Sequence, residues 1–193
     1  MLVVNIYGGP GAGKSTMAYE LAARLKRDTH YKTELVTEYA KDVTYSQNLM
    51  ALADQMDLVS QQNHRLFRLV EAGLDVAICD ASLLNALVYV KYYKDPLRVG
   101  LAEVAAEAAL RLYKLYDNIG FNLIRTKAYR EYGRVQTEEQ ALGIDEDFRM
   151  MAVKHLHGSH EFFPVGSDDV SQAFDMVCRA LKGEAVWETK DVT

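Results

Sequence analysis

The sequence predicts an α/β fold, a five-stranded parallel sheet with helices on both faces. Three observations predict it. Short apolar or β-branched runs alternate five times with longer segments of helical period, the pattern of consecutive βαβ units. The first run leads straight into a glycine-rich loop and then a helical segment. The chain has 193 residues, 49% hydrophobic and 25% charged, an ordinary globular balance that buries a core without a disulfide or metal staple. Right-handed crossovers then leave few topologies.

The elements follow in order. Residues 2–7 are an apolar run that reads as a buried strand. The glycine loop spans 8–13, and a helical pattern follows over about 14–27. Residues 33–37 are β-branched and apolar, a second strand. A long helical pattern over 48–72 aligns Leu49, Leu52, Met56, Val59, Leu66 and Leu69 on one face, and Gly73 stops it. Residues 75–79 form a third strand that ends at Asp80. Helices are expected at about 82–93 and 96–116. In the second of these, Leu101, Val104, Ala105, Ala108, Leu112 and Leu115 keep the helical period. Residues 119–124 are a fourth strand, and 125–136 a polar, arginine-bearing loop. A helix over 137–157 opens on Thr137-Glu138-Glu139-Gln140, a capping box. Residues 161–165 are the fifth strand and 168–182 the last helix. No linker, repeat or low-complexity stretch interrupts the pattern. One domain is therefore expected over residues 2–182, with 183–193 as a polar tail.

Composition narrows the classes. No apolar run approaches the ~20 residues that span a bilayer, and the N-terminus lacks the basic flank of a signal peptide. A soluble, cytoplasmic protein with no membrane partner is expected. The net charge of −5 does not favour bulk attraction to nucleic acid, although Lys91, Lys94, Arg98 and Arg111 could form a local basic strip. Cys79 and Cys178 lie in apolar segments without ligand spacing. They read as small buried hydrophobes in a reducing compartment.

The glycine loop carries the chemistry. Residues 8–16 read Gly-Gly-Pro-Gly-Ala-Gly-Lys-Ser-Thr, which satisfies G-x-x-x-x-G-K-[ST] between a strand and a helix. Glycines let the backbone wrap a phosphate chain with successive N–H groups turned inward. The helix beginning near Lys14 adds its positive N-terminal end. Gly8, Gly11, Ala12, Gly13, Lys14, Ser15 and Thr16 are the expected nucleotide contacts. Lys14 should reach the β- and γ-phosphates, and the Ser15 hydroxyl should bind Mg²⁺. A second Mg²⁺ anchor is usually an Asp at a neighbouring strand tip, and Asp80 fits; it also fits a helix N-cap. Glu38 closes the second strand, where it is either the base that takes an acceptor's proton or a solvated loop carboxylate. The loop after the fourth strand holds Arg125, Lys127, Arg130 and Arg134. Arginines brought in by a closing loop would stabilise charge on a transferring phosphoryl group. The alternative is ordinary solvated surface.

Several segments together resemble a known group. They are the loop 8–16, the run Val36-Thr37-Glu38-Tyr39-Ala40-Lys41-Asp42, the strand ending in Asp80, and Gly133-Arg134-Val135-Gln136-Thr137-Glu138-Glu139-Gln140-Ala141. The set resembles small P-loop kinase-like proteins common in bacteriophage genomes, AAA-type ATP-binding proteins related to the nicotinamide-riboside kinase domain of NadR. The resemblance covers about residues 2–182. It implies a P-loop NTPase fold with an arginine-bearing lid, ATP and Mg²⁺ as cofactors, and a host cytoplasm if phage-encoded. More distantly, the chain is similar to deoxynucleoside and nucleoside-monophosphate kinases. By that similarity Glu38, Asp80, Arg130 and Arg134 join Lys14 as catalytic residues; Arg125, at the start of the arginine-bearing loop, is counted with the expected nucleotide contacts. One departure stands out. Asp80-Ala81-Ser82 lacks the arginine that deoxynucleoside kinases carry after the acidic residue.

The expected function is transfer of the γ-phosphoryl group of ATP to a nucleoside, nucleotide or related small molecule, with a homodimer as an open alternative to the monomer. Two alternatives stand beside it. One is a kinase acting on a hydroxymethylated base in phage DNA, and the other a nucleotide-gated ATPase or interaction module.

Overall fold

The computed structural model describes residues 1–47, 51–126, 128–129, 137–156 and 162–186. Strands β1 (Leu2–Tyr7), β2 (Thr33–Val36), β3 (Val76–Cys79), β4 (Asp117–Ile124) and β5 (Phe163–Gly166) form one sheet in the order β2-β3-β1-β4-β5. Every pairing is parallel. Among the described residues, seven helices connect or follow them: α1 (Lys14–Asp28), α2 (Tyr39–Tyr45), α3 (Gln55–Glu71), α4 (Asn85–Tyr89), α5 (Pro96–Tyr113), α6 (Glu138–His155) and α7 (Val170–Leu181).

Strand periodicity sorts the core onto two faces. Val4, Ile6 and Ile78 pack with Leu21 and Leu25 of α1 and Val177 of α7. Their neighbours Val3, Ala77 and Cys79 turn the other way, onto Leu66 of α3 and Ala105 and Ala109 of α5. A sheet covered on both sides needs apolar residues at consecutive positions, which is why β1 and β3 read as unbroken apolar runs. β1 lies between β3 and β4, so its carboxyl end opens at the point where successive connections leave in opposite directions. Ligand crevices of open α/β sheets form there.

The helices differ from expectation in instructive ways. The pattern over 48–72 is not one helix. A 3-10 turn occupies Ala51–Ala53, and α3 begins at Gln55 because Asp54 caps it, its carboxylate accepting the Asp57 N–H at 3.0 Å. Met56 is correspondingly exposed, and Leu49 lies outside the described residues. On α5 the expected face is rotated. Leu101, Val104 and Leu115 point outward, while Ala102, Ala105, Ala106, Ala109 and Tyr113 are buried. Small side chains let α5 lie close to its neighbours, so alanines took the inner face. The segment 82–93 divides into α4 and a 3-10 turn at Val90–Tyr92. The capping box at Thr137 and Gln140 is present in both directions. Cys79 is buried, whereas Cys178 is only half-buried.

Candidate active site

The phosphate loop leaves β1 at Tyr7 and enters α1 at Lys14. Gly8, Gly11 and Gly13 have φ of 144°, 82° and 97°, a region that side chains disfavour. The Ala12 N–H closes a turn onto the Gly9 carbonyl at 3.2 Å. Lys14 folds back over the loop, its ammonium donating to the carbonyls of Gly8 at 2.7 Å and Gly9 at 3.1 Å. Burial holds its pKa below the ordinary lysine value, with Glu38 and Asp80 pulling the other way. Ser15 follows on the same first turn, and Thr16 is exposed.

A cluster of oxygens faces that turn. Asp80, at the tip of β3, has a side chain only 3% exposed. It does not cap a helix, since α4 begins five residues later with Leu84 at its cap position. Its Oδ2 accepts the ammonium of Lys41 at 2.5 Å, and its Oδ1 is buried without a partner. The same Lys41 ammonium donates to Ser15 Oγ and stands 3.8 Å from Glu38 Oε2. Glu38 thus lies beside this cluster, with its side chain 21% exposed. Burial raises its pKa above the ordinary carboxylate value, and the Lys14 charge opposes the shift. A Mg²⁺ ion takes hard oxygen ligands, and a buried carboxylate with one unpartnered oxygen, joined to a hydroxyl through the shared Lys41, fits that demand. Ser15 and Asp80 are the residues that would hold it.

A pocket open to solvent lies beside Glu38. Tyr39, Gln55, Val59, Asn85 and Tyr89 are among its walls, and no lysine or arginine lines it among the described residues. Gln62 ties the walls together, accepting the Tyr39 N–H and donating to the Ala81 carbonyl. Asn85 Oδ1 is buried without a partner.

Across the loop, Arg125 emerges from the end of β4. Its Nε donates to Asp145 Oδ2 at 2.5 Å, and its Nη2 to the Pro10 carbonyl at 2.9 Å. Asp145, on α6, also accepts the Gly9 N–H at 2.5 Å. Arg125 therefore stands beside the phosphate loop, tied to Asp145 and the loop backbone. The Tyr129 ring approaches Gly11, where an added Cβ would meet it at 3.1 Å. Arg130 and Arg134 lie outside the described residues. Sequence reading missed Lys41 and Asp145 as site members. Lys41 had a faint signal, one helical turn beyond a strand-tip carboxylate; Asp145 had none.

Comparison with known proteins places the chain. The profile of an AAA domain family matches residues 3–172. No curated protein matches it in sequence. Among solved structures, thymidylate kinase from Ehrlichia chaffeensis superimposes with a TM-score of 0.55 at 15% identity, covering 94% of this chain and 98% of that one. At that identity the likeness speaks for the fold. Among the described residues, no helix is long and apolar enough to cross a membrane. The match over most of its length, with the glycine loop at the head of a parallel five-stranded sheet, shows that the chain belongs to this AAA domain family and has the P-loop NTPase fold.

Proposed function

We propose that the protein is an ATP-dependent phosphotransferase whose acceptor is the hydroxyl of a small molecule of nucleoside or nucleotide type. The observation that carries the reading is Glu38. It stands at the junction between the phosphate-binding turn and the open pocket walled by Tyr39, Gln55, Asn85 and Tyr89. A carboxylate whose pKa is raised by burial suits a base working near neutral pH. An acceptor seated in the pocket would give its hydroxyl proton to Glu38 as its oxygen bonds to the γ-phosphorus and the bond to the β-phosphate breaks. Lys14 would exchange the two loop carbonyls for phosphate oxygens. When bound, Mg²⁺ supplies neutralising charge to the phosphate oxygens. Arg130 and Arg134 would add charge to the transferring group, and Arg125 would keep the loop backbone in place.

The nucleic-acid alternative has less support. Lys91 pairs with Asp147 and Arg111 with Glu107, which neutralises half of the basic strip. The test is incubation with Mg-ATP and a panel of nucleosides, nucleoside monophosphates and hydroxymethylated DNA, with products read by mass. A phosphorylated nucleoside or nucleotide is expected. Product only from DNA would replace this reading with the nucleic-acid one, and free phosphate alone would favour an ATPase.

A further inference from the structure

We infer that Lys41 is a built-in occupant of the divalent-cation position, so that metal enters the site only as the Lys41 side chain withdraws. The argument begins with Asp80. A carboxylate 3% exposed at a strand tip is costly without a countercharge. The countercharge is Lys41, whose ammonium touches Ser15 Oγ and Asp80 Oδ2 together and stands 3.8 Å from Glu38. Ser15 and Asp80 are the two residues that would ligate Mg²⁺, and a single ammonium bridges both. Ammonium and metal ion therefore compete for the same two side chains.

The surroundings allow the exchange without refolding. Lys41 is on α2, and its side chain is 40% exposed, which leaves a route to solvent. The backbone beneath it is anchored separately. Arg65 donates to the Thr37 carbonyl and hydroxyl and pairs with Asp42, while the Tyr39 N–H bonds to Gln62. The flexible four-carbon stem can swing while α2 stays in place. Asp80 Oδ1 remains buried and unpartnered while Lys41 occupies the site. One ammonium satisfies only part of this cluster, and a multivalent cation would satisfy more of it.

The consequence is conditional metal binding. A tethered ammonium acts at a high effective concentration, so a free divalent ion should bind poorly on its own. A metal that arrives with nucleotide brings phosphate oxygens as further ligands and can displace the lysine. Metal and nucleotide would then enter together. The inference holds for any Mg-nucleotide reaction, and its test is independent of the acceptor.

The test uses Mn²⁺ as the probe on nucleotide-free protein, with the free ion followed by its EPR signal. Wild type should take up Mn²⁺ only weakly. Lys41→Met, which keeps the stem and loses the charge, should bind one Mn²⁺ at least tenfold more tightly. Adding Asp80→Asn to that variant should abolish the gain, and Lys41→Arg should behave as wild type. Thermal unfolding gives a second readout. Lys41→Met should melt lower than wild type in metal-free buffer and recover more on adding Mn²⁺. Equal Mn²⁺ affinity in wild type and Lys41→Met would overturn the inference, as would a gained site that survives Asp80→Asn. If Lys41→Met does not fold, Lys41→Gln takes its place under the same criteria.

Discussion

Gly9→Ala tests the contact between the phosphate loop and α6. Gly9 needs no left-handed backbone, unlike Gly8, Gly11 and Gly13. Its constraint is space. An added Cβ would lie 2.4 Å from the Ala141 carbonyl oxygen, 3.0 Å from Asp145 Oδ1 and 3.2 Å from Arg125 Nη2. An ordinary C···O approach is about 3.3–3.6 Å, so the loop or α6 must retreat by roughly 1 Å. The nearest atom is helix backbone and cannot rotate away. Overpacking of this kind costs about 1–3 kcal/mol, and losing the Gly9 N–H bond to a carboxylate costs about 1.5–3 more, for a total of about 2.5–6 kcal/mol. For a chain of this size that is a fall of roughly 5–24 °C in melting temperature. Denaturant unfolding and equilibrium ATP binding are the assays, and both stability and affinity should fall. Gly143→Ala on the same helix is the control. Nothing lies within 4 Å of its added Cβ, so replacing a helical glycine should stabilise by about 0.5–1 kcal/mol. A Gly9→Ala protein within about 1 kcal/mol of wild type, with unchanged ATP affinity, would refute the reasoning.

Further outcomes follow from the same geometry. Asp145→Asn should destabilise by about 3–5 kcal/mol in chemical denaturation, because it leaves the largely buried Arg125 without its carboxylate; a loss under 1 kcal/mol would make the pair a surface contact. Turnover should rise with pH through the raised Glu38 pKa, since the base works deprotonated, and Glu38→Gln should remove both that limb and most of the rate. The same shift has a stability sign. Folded Glu38 holds its proton above the ordinary value of 4.5, so its contribution is full below that value and is lost as pH rises through the folded pKa; Glu38→Gln should flatten that slope in pH-dependent unfolding. Arg134→Ala should lower single-turnover transfer by about 10² or more with little change in ATP affinity, the pattern of a group that acts on transition-state charge.

The parts of this molecule that were legible in the sequence are those with one-dimensional signals. A buried parallel strand is a run, and a phosphate loop is a spacing, so β1, the turn at Gly13-Lys14-Ser15 and the strand tip at Asp80 could be read directly. The α5 face could not be read in the same way. Leu101 and Val104 share the helix with a row of alanines that keeps the same period, and only the nearness of α3 decides which row goes inside. The Asp54 cap sat within a pattern whose apolar spacing continued through it, so periodicity overran the helix start. Lys41 and Asp145 depend on contacts across 39 and 136 positions of chain. No local pattern separates such residues from solvated charges on a helix.

The central claim is that this site moves a phosphoryl group to an acceptor rather than to water. Single-turnover reaction of γ-³²P-labelled ATP, with each candidate acceptor and with Lys14→Ala as the blank, measures this most directly. Label should appear in an acceptor product faster than in inorganic phosphate, and Lys14→Ala should yield neither. Label recovered only as inorganic phosphate at the same rate with every acceptor, or acceptor product formed equally by Lys14→Ala, would contradict the account.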